Sequence, residues 1–537
     1  MSKYLIGIDV GTRSARAGVF DEAGTLISSA KRDIALINRG SNLYEQSSGE
    51  IWAAVCAVTR ESLQNASVDA ASIAGIGMDA TCSLVVIGPE GQPLPVGDAD
   101  HPERNIIVWM DHRALDQAAR INATGHEVLR YVGNQISPEM ETPKLLWLKE
   151  NQPEVFAKAE HFFDLTDFLT WRATGCLDRS ICTVTCKWTY LGHERRWDES
   201  YFKTIGLPEL CNNHFARIGE TVIDAGTAIG TGLTAEAATD LGLPQGTPVA
   251  AGLIDAHAGG IGTVGWLDAK NTGSATSRMA YVFGTSACTM TSTTEPAFVP
   301  GVWGPYYSAM IPGLWLNEAG QSAAGAAIDH LVHLHPAANE ATEKAESAGI
   351  GLTLWLSKQA ENLVSEGVDL AQCVGGLHVV PEFLGNRAPF ADPHAKALIA
   401  GLDMDTSISA LIRLYIAGVY GLGYGLRQII LTQSAKGIVL DTIVVSGGAA
   451  QSPTVRQMLA DATNLKIAAP RTTEPVLLGS AILGAVAGKL QPDIQSAMAA
   501  MTAAGETYFP NVNTKEHHQQ RFDAFELLQA TGRQLRT

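Results

Sequence analysis

The sequence lacks the marks of secreted and membrane-spanning proteins. Its eight cysteines form no CxxC pair and show no even spacing, so we expect free thiols in a reducing compartment. The N-terminus has no basic flank, apolar core and small-residue cleavage site, and no apolar run approaches the roughly 20 residues that a membrane helix needs. We therefore expect a cytoplasmic protein without a membrane partner.

Clustered positive charge is also missing. The formal net charge is −17 at pH 7, and the Lys and Arg residues are scattered along the chain. This balance argues against nucleic acid or an anionic membrane surface as a partner. An anionic ligand would need positively charged or hydrogen-bond donor groups at its own binding site. The length of 537 residues is too great for one core and predicts two domains.

The common nucleotide-binding loops are absent too. The segment GAVAGKL near Lys489 has the wrong spacing for a P-loop and ends in Leu where a hydroxyl is needed. No GxGxxG follows a strand in a setting typical of dinucleotide binding. Any phosphate must therefore be held by another kind of turn.

A candidate for that turn lies in GIDVGTRSARAGVF, residues 7–20. An apolar strand is followed by Asp9, by a turn at Gly11 and Thr12, and by a second strand. Glycine lets the backbone approach an anion, the turn offers N–H and hydroxyl donors, and the acid can hold a metal ion. Alone, the same pattern is also that of an ordinary hairpin turn.

Two later segments repeat the strand and glycine-turn pattern. AYVFGTSACTM carries Gly284 and Thr285, and TIVVSGGAAQSPTV carries Gly447 and Gly448 before a helix with Ser452 as its N-cap. A motif at the head of each half suggests duplicated domains that face a cleft. Each turn could be a simple tight turn, but the three together favour a nucleotide cleft.

Three acids are candidates for the chemistry. Transfer of a phosphate to a hydroxyl needs metal support and a carboxylate near the attacking oxygen. Asp9 fits the metal role, and Asp255, between an apolar strand over 248–254 and a small-residue helix, fits the base. Asp79, in a loop between two short strands, suits a sugar hydroxyl. The alternatives are a helix cap for Asp255 and an Asx-turn for Asp79.

Two local predictions concern secondary structure. A helix is expected to begin near residues 48–50 with Ser48 as its N-cap. Cys182 and Cys186, in CTVTCKWTYLG, are expected in a strand or loop as small packing residues, because their spacing is not that of a zinc site.

Taken in order, the motifs make the sequence similar to the FGGY carbohydrate kinases of the actin, hexokinase and Hsp70 superfamily. The resemblance covers Tyr4 to about Gly488. The segments that carry it are GIDVGTRSARAG, DLTDFLTWRATG, GLIDAHAGG, FGTSACTM, NRAPFADPHAKALIAGL, SGGAAQSPTVRQMLAD and EPVLLGSAILGA. It implies an α/β protein with two ribonuclease H-like domains around an ATP and sugar cleft, with residues 1–265 binding mainly sugar and 266–537 mainly ATP.

The resemblance also assigns roles by motif. Asp255 would be the general base and Asp9 would support Mg²⁺. The residues implied for ATP are Gly11, Thr12, Arg13, Gly284, Thr285, Gly447, Gly448, Ala449 and Ser452. The residues implied for the sugar are Asp79, Ala80, Thr81, Asp111 and Asp255.

Within the family, the sequence looks most like the pentulose kinases of the D-ribulokinase type. Xylulose kinases are expected to carry Met-His-Gly where this chain has Met78, Asp79 and Ala80, and glycerol kinases an Arg-Glu pair near residue 84. The resemblance therefore implies D-ribulose ahead of L-ribulose, ribitol or xylulose. The alternative of another class is an ATP-driven switch protein without a sugar acceptor. Both a monomer and a homodimer agree with the sequence.

Overall fold

The computed structural model of the protein describes residues 2–40, 42–267, 274–448 and 451–536. The strands are β1 (Tyr4–Val10), β2 (Ser14–Asp21), β3 (Leu26–Asp33), β4 (Ile37–Asn38), β5 (Tyr44–Gln46), β6 (Ile73–Ala80), β7 (Leu84–Ile87), β8 (Ile106–Ile107), β9 (His161–Asp164), β10 (Arg179–Ser180), β11 (Val222–Ile223), β12 (Leu253–Ile254), β13 (Arg278–Phe283), β14 (Ala287–Thr293), β15 (Trp303–Tyr307), β16 (Trp315–Gln321), β17 (His378–Val380), β18 (Leu398–Ala400), β19 (Thr442–Ser446), β20 (Lys466–Pro470) and β21 (Ala504–Tyr508). The α-helices are α1 (Ser48–Ala66), α2 (Leu115–Ala123), α3 (Glu141–Asn151), α4 (Pro153–Lys158), α5 (Leu165–Thr174), α6 (Ile181–Lys187), α7 (Glu199–Thr204), α8 (Asn212–Phe215), α9 (Ala235–Leu241), α10 (Asp255–Val264), α11 (Gly325–His333), α12 (Ala338–Ser347), α13 (Leu352–Ser365), α14 (Leu370–Cys373), α15 (Ile408–Ser434), α16 (Pro453–Thr463), α17 (Pro475–Ala487), α18 (Ile494–Met501) and α19 (Lys515–Gln534).

The first large sheet has the strand order β12-β6-β1-β2-β3. Strand β1 is antiparallel to β2 and parallel to β6, and β6 is parallel to β12. Residues 5–10 of β1 are all buried, because helix α1 covers one face of the sheet and α17 covers the other. Strands buried on both faces read as near-continuous apolar runs.

The second large sheet repeats this arrangement within the order β15-β16-β14-β13-β19-β20-β21. Strand β13 is antiparallel to β14 and parallel to β19, and β19 is parallel to β20. Each sheet therefore contains the same hairpin flanked by the same pair of parallel strands. The structure confirms the predicted duplication, while the division into domains 1–265 and 266–537 stays a prediction.

Helix α17 connects the two halves, since in sequence it lies between β20 and β21 of the second sheet but it packs on the first sheet. A Cβ atom on Gly7 would lie 2.0 Å from the carbonyl oxygen of Leu477, and one on Gly77 would lie 1.8 Å from that of Ser480. Only a residue without a side chain permits this approach, so these glycines set the distance between β1, β6 and α17.

Helix α15 has the length and apolar composition of a membrane-spanning helix. However, 72% of its 18-residue apolar window is buried inside the protein. The core helix of a folded protein has the same composition, and α15 packs against α11, α13 and α16 in this role.

Several local predictions need correction. Ser47, not Ser48, caps α1, and its Oγ accepts a hydrogen bond from the Glu50 amide at 3.3 Å. The strand expected over 248–254 is regular only at β12. Cys182 and Cys186 lie on helix α6, because Ser180 caps the segment and accepts a hydrogen bond from the Cys182 amide. Helix α5 ends at Gly175, which has a φ of +72°.

Candidate active site

A cavity of about 530 Å³ is lined by residues from both halves of the chain. The first half contributes the end of β1, the hairpin that follows it, the end of α6 and the start of α10. The second half contributes the β13–β14 hairpin, parts of β15 and β16, the segment around Arg387 and the start of α17. The described cavity therefore lies where the two repeated hairpins meet.

The first hairpin places Asp9 at the edge of the cavity. Gly11 donates its backbone N–H to the carbonyl of Ser14 at 3.0 Å and closes the turn. The Arg16 guanidinium donates to Asp9 Oδ2 at 2.7 Å and to Glu474 Oε2, from the second half, at 2.6 Å. Thr12, which also lines the cavity, accepts a hydrogen bond from the Trp109 indole at 3.0 Å. Asp9 is thus held by a cation that joins the two halves.

The second hairpin has the same closure. The amide of Gly284 donates to the carbonyl of Ser286 at 2.9 Å, and the carbonyl of Thr285 accepts from the Ala324 amide at 2.9 Å. Ser286 lines the cavity, so the second turn approaches the same space as the first. Arg13, in the first turn, is exposed.

The third glycine turn follows β19. Gly447 has a φ of +97°, which favours glycine, and Gly448 is exposed. Ser452 caps α16 as predicted, with its Oγ accepting from the Val455 amide at 3.4 Å. Ala449 lies outside the described residues, and the ATP roles of all three turns stay predictions.

Asp255 is the first residue of α10 and lines the cavity. Its Oδ1 accepts a hydrogen bond from the Ala256 amide at 2.7 Å. Burial and the charge of Asp9 raise the pKa of Asp255 to about 6. A carboxylate with a pKa just below neutrality is charged at pH 7 and still a useful base, which suits removal of a hydroxyl proton.

Asp79 lies in β6 rather than in the expected loop, because β6 continues its parallel pairing with β1 and places Asp79 beside Asp9. It has no exposed surface, and its Oδ2 accepts a hydrogen bond from Ser480 on α17 at 2.6 Å. Burial and the charge of Asp9 raise the pKa of Asp79 well above its ordinary value. Asp79 is therefore buried behind the residues that line the cavity. Of its two predicted companions, Thr81 lines the cavity and Ala80 is buried.

Asp111 is also fully buried and is engaged in packing the first half. One carboxylate oxygen accepts from the Tyr44 amide at 2.7 Å and from Arg113 at 2.8 Å. The other accepts from the backbone and the side chain of Arg113, at 2.8 and 2.9 Å. Both oxygens thus have protein partners.

The sequence reasoning missed a set of charged residues that do line the cavity. Lys187 ends α6, Glu318 lies on β16, and Arg387 lies in a loop of the second half. Burial opposes the charge of Glu318, but Lys187, His257 and Arg387 lower the pKa of Glu318 to about 2. Burial also opposes the charge of Lys187, but nearby acidic groups including Glu318 raise the pKa of Lys187 well above its ordinary value. The cavity therefore holds fixed charges of both signs.

Trp303 supplies a wall beside these charges. Its ring centroid lies 5.5 Å from Lys187 Nζ and 5.6 Å from the Arg387 guanidinium carbon. A flat apolar wall next to charged hydrogen-bonding groups suits a small polyol, whose C–H face and hydroxyl groups need different partners. The sequence signal for Lys187 was that it is the only charged residue in CTVTCKWTYLG and is adjacent to Trp188.

Comparisons with known proteins agree with this architecture. Residues 4–262 and 279–488 match the models of the N-terminal and C-terminal domains of the FGGY family of carbohydrate kinases. An FGGY carbohydrate kinase domain-containing protein of Xenopus laevis is 45% identical over 529 residues, covering 97% of this chain and 95% of the relative. A D-ribulokinase of Saccharomyces cerevisiae is 39% identical over 520 residues, covering 91% of this chain and 72% of the relative.

Solved structures show the same fold. A xylulose kinase from Rhodospirillum rubrum has a TM-score of 0.81 at 21% identity, covering 98% of this chain and 99% of that one. A gluconate kinase from Lactobacillus acidophilus has a TM-score of 0.79 at 21% identity, covering 99% and 98%. The expected two-domain α/β fold is confirmed. At this identity the likeness concerns the fold alone.

Proposed function

The chain belongs to the FGGY family of carbohydrate kinases, and on that premise we propose that it transfers the γ-phosphate of ATP to the 5-hydroxyl of D-ribulose. Membership makes it an ATP-using phosphotransferase that acts on a carbohydrate. The observation that supports phosphate transfer to a sugar hydroxyl is the position of Asp255, a partly buried carboxylate at a cavity lined by Lys187 and Glu318.

The chemistry follows from the position of Asp255. Its carboxylate accepts the proton of the sugar hydroxyl as the oxygen attacks the γ-phosphorus in line. A new O–P bond forms, the bond between the γ-phosphorus and the bridging oxygen breaks, and ADP leaves with that oxygen. Lys187 donates to the sugar and Glu318 accepts from it, which fixes the reacting hydroxyl near Asp255.

Asp9 is the proposed residue for Mg²⁺. The charges of Asp9, Asp79 and Asp255 lie close enough that Asp9 raises the pKa of the other two. Among the described residues no three His, Cys, Asp or Glu side chains are arranged to hold a metal ion, so Asp9, which lines the cavity, would hold Mg²⁺ together with phosphate and water oxygens. When bound, the ion would neutralise phosphate charge. Arg16 holds Asp9 in place beside it.

The substrate choice depends on the 39% identical D-ribulokinase and on the motif differences from xylulose and glycerol kinases. Because Asp79 is buried, we infer that the lining residues Lys187, Glu318 and Arg387 distinguish between sugars. L-ribulose, ribitol and xylulose are the alternative acceptors. An ATP switch without an acceptor has no need of these charges, which are costly to remove from water. A cytoplasmic location and a possible homodimer complete the proposal.

A coupled assay of ADP release with ATP and Mg²⁺ tests the proposal across D-ribulose, L-ribulose, D-xylulose, ribitol and glycerol. We expect the highest kcat/KM with D-ribulose, and phosphorus NMR should place the phosphate on O5. Preference for another polyol would overturn the substrate. ATP hydrolysis without any accepted sugar would overturn the transfer reaction.

The raised pKa of Asp255 predicts a pH dependence. With Mg²⁺ saturating, kcat/KM for the sugar should fall as the pH drops through about 6, because the protonated carboxyl no longer accepts the hydroxyl proton. Rates measured from pH 5 to 8 should follow a single ionisation. A flat profile over this range would show that Asp255 is not the titrating base.

Replacement of Lys187 by methionine predicts a loss of sugar affinity. Lys187→Met keeps much of the length and removes the donor, and hydrogen bonds to charged groups contribute about 1.5–3 kcal/mol, so the sugar KM should rise roughly 10- to 100-fold. The KM for ATP should stay near the wild-type value. Lys203→Met is the matched control, because Lys203 pairs with Glu199 on the exposed face of α7. Equal losses for sugar and ATP would contradict the assignment.

A further inference from the structure

A buried chain of three side chains, Cys182, His257 and Glu318, joins the two halves behind the cavity. His257 lies two residues after Asp255 on α10 and has no exposed surface. Its Nδ1 lies 3.1 Å from Sγ of Cys182, on α6, and its Nε2 lies 3.5 Å from Oε2 of Glu318, on β16. Each ring nitrogen thus faces a group that can carry negative charge.

Of these three side chains, Glu318 is the one that reaches the cavity. It is 7% exposed as a residue and lines the cavity from the second half. Within the parts of the chain that the structure describes, His257 is its only partner at ion-pair distance. The position of Glu318 therefore depends on the imidazole ring.

Cys182 fixes the other side of the ring. Its Sγ also accepts a hydrogen bond from the amide of Ile254 at 3.4 Å. Ile254 and His257 flank Asp255 in sequence, so one sulfur atom contacts the chain on both sides of the proposed base. The contact orients the imidazole and holds the first turn of α10.

The charges of Cys182, His257 and Glu318 balance one another. Burial opposes protonation of the imidazole, but Cys182 and Glu318 raise the pKa of His257 to about 10. Burial likewise opposes ionisation of the thiol, but a hydrogen bond with Cys186 and the charge of His257 lower the pKa of Cys182. With both ring nitrogens protonated, the imidazole donates toward the sulfur and toward the carboxylate.

We propose that His257 is a positioning residue for the sugar pocket, which holds Glu318 in place to accept from the sugar while Cys182 fixes the orientation of its ring. This inference rests on the proposed function. Without the imidazole, Glu318 would lose its partner at 3.5 Å and would keep the charges of Lys187 and Arg387, so we expect its carboxylate to stay ionised but to turn away from the sugar toward those cations. Its hydrogen bond from the sugar would then be lost.

A double-mutant cycle tests the inference in the full-length enzyme. His257→Gln, Glu318→Gln and the double variant are compared for the KM of pentulose and of ATP. We expect His257→Gln to raise the pentulose KM about tenfold or more and to leave the ATP KM unchanged, as for a lost charged hydrogen bond. Added to Glu318→Gln, the same change should have little further effect, because the two residues act through one contact.

Cys182 variants extend the test in case His257→Gln does not fold. Cys182→Ala should raise the pentulose KM in the native background and not in the Glu318→Gln background, and Cys182→Ser should restore much of the loss. Cys211→Ser is the control, since Cys211 is not a residue of the cavity lining and its thiol makes a long hydrogen bond, 3.9 Å, to the Glu199 carbonyl.

Two results would overturn the inference. If the increases in the pentulose KM caused by His257→Gln and Glu318→Gln multiply in the double variant, the two residues act independently. If His257→Gln raises the KM of pentulose and of ATP equally and lowers the Tm, its role is purely structural. If the wild-type enzyme prefers another carbohydrate, the cycle is run with that substrate. The pentulose assignment and the role of His257 then fail or stand separately.

Discussion

Asp255→Asn should lower kcat by about 10²- to 10⁴-fold, the range associated with loss of a general base. The amide keeps the shape of the side chain but no longer accepts the hydroxyl proton. ATP affinity should be retained or rise, because the substitution removes one negative charge near Asp9 and near the proposed phosphate site. Single-turnover kinetics would measure the chemical step, and calorimetry would measure ATP binding.

The same substitution should leave the protein at least as stable as the wild type. The pKa of Asp255 is about 6 in the folded protein against 3.8 for the ordinary group, so the unfolded chain holds this proton less tightly. Its charge therefore costs the fold about 3 kcal/mol above pH 6, and this cost disappears as the pH falls from 6 towards 4. Asn carries no such cost, and the Tm at pH 7.5 should not fall.

Asp116→Asn, on the exposed start of α2, is the control and should behave as wild type. Loss of ATP binding in Asp255→Asn, or a marked fall in Tm, would assign Asp255 a structural role. A variant that keeps full activity would exclude it as the base.

The features that the sequence predicted well are those that depend on local chemistry. The hairpin turns at Gly11 and Gly284 follow from a strand, a glycine and a second strand, and nothing distant decides them. The Ser452 cap and the start of α10 at Asp255 are local in the same sense. The repeated topology of the two sheets follows from the repeated motif.

The features that the sequence missed depend on long-range packing. Asp79 was expected to lie in a loop and to bind a sugar hydroxyl, but it lies in β6, where α17 covers it with Ser480, which is 401 residues further along the chain. The segment of Cys182 and Cys186 is rich in β-branched residues, which favour strands, yet a tertiary setting between β10 and β12 makes it helical. Lys187 and Glu318 line one cavity only because this helix packs against β15, the neighbour of β16, and no local pattern shows that contact.

Gly479→Ala should destabilise the fold, because α17 and α10 cross at a glycine contact. A Cβ atom on Gly479 would lie 1.9 Å from the carbonyl oxygen of Ala258, and one on Gly262 would lie 2.0 Å from that of Pro475. Overpacking of this kind costs about 1–3 kcal/mol or more, and backbone atoms have little freedom to move away. We expect a fall in Tm of roughly 2–12 °C, measured by calorimetry.

The effect should also reach the chemistry, because Ala258 lies on the same helix as Asp255 and separation of α10 from α17 moves the proposed base. A displacement of about 1 Å can lower the rate by roughly 10²-fold. Gly49→Ala is the matched control: Gly49 lies in helix α1 and is exposed, and a Cβ atom there would meet only the Ser47 hydroxyl, at 3.8 Å. There alanine should be neutral or stabilise by up to about 1 kcal/mol. If Gly479→Ala matched Gly49→Ala in Tm and kcat, the close crossing of α10 and α17 would not be what fixes Asp255.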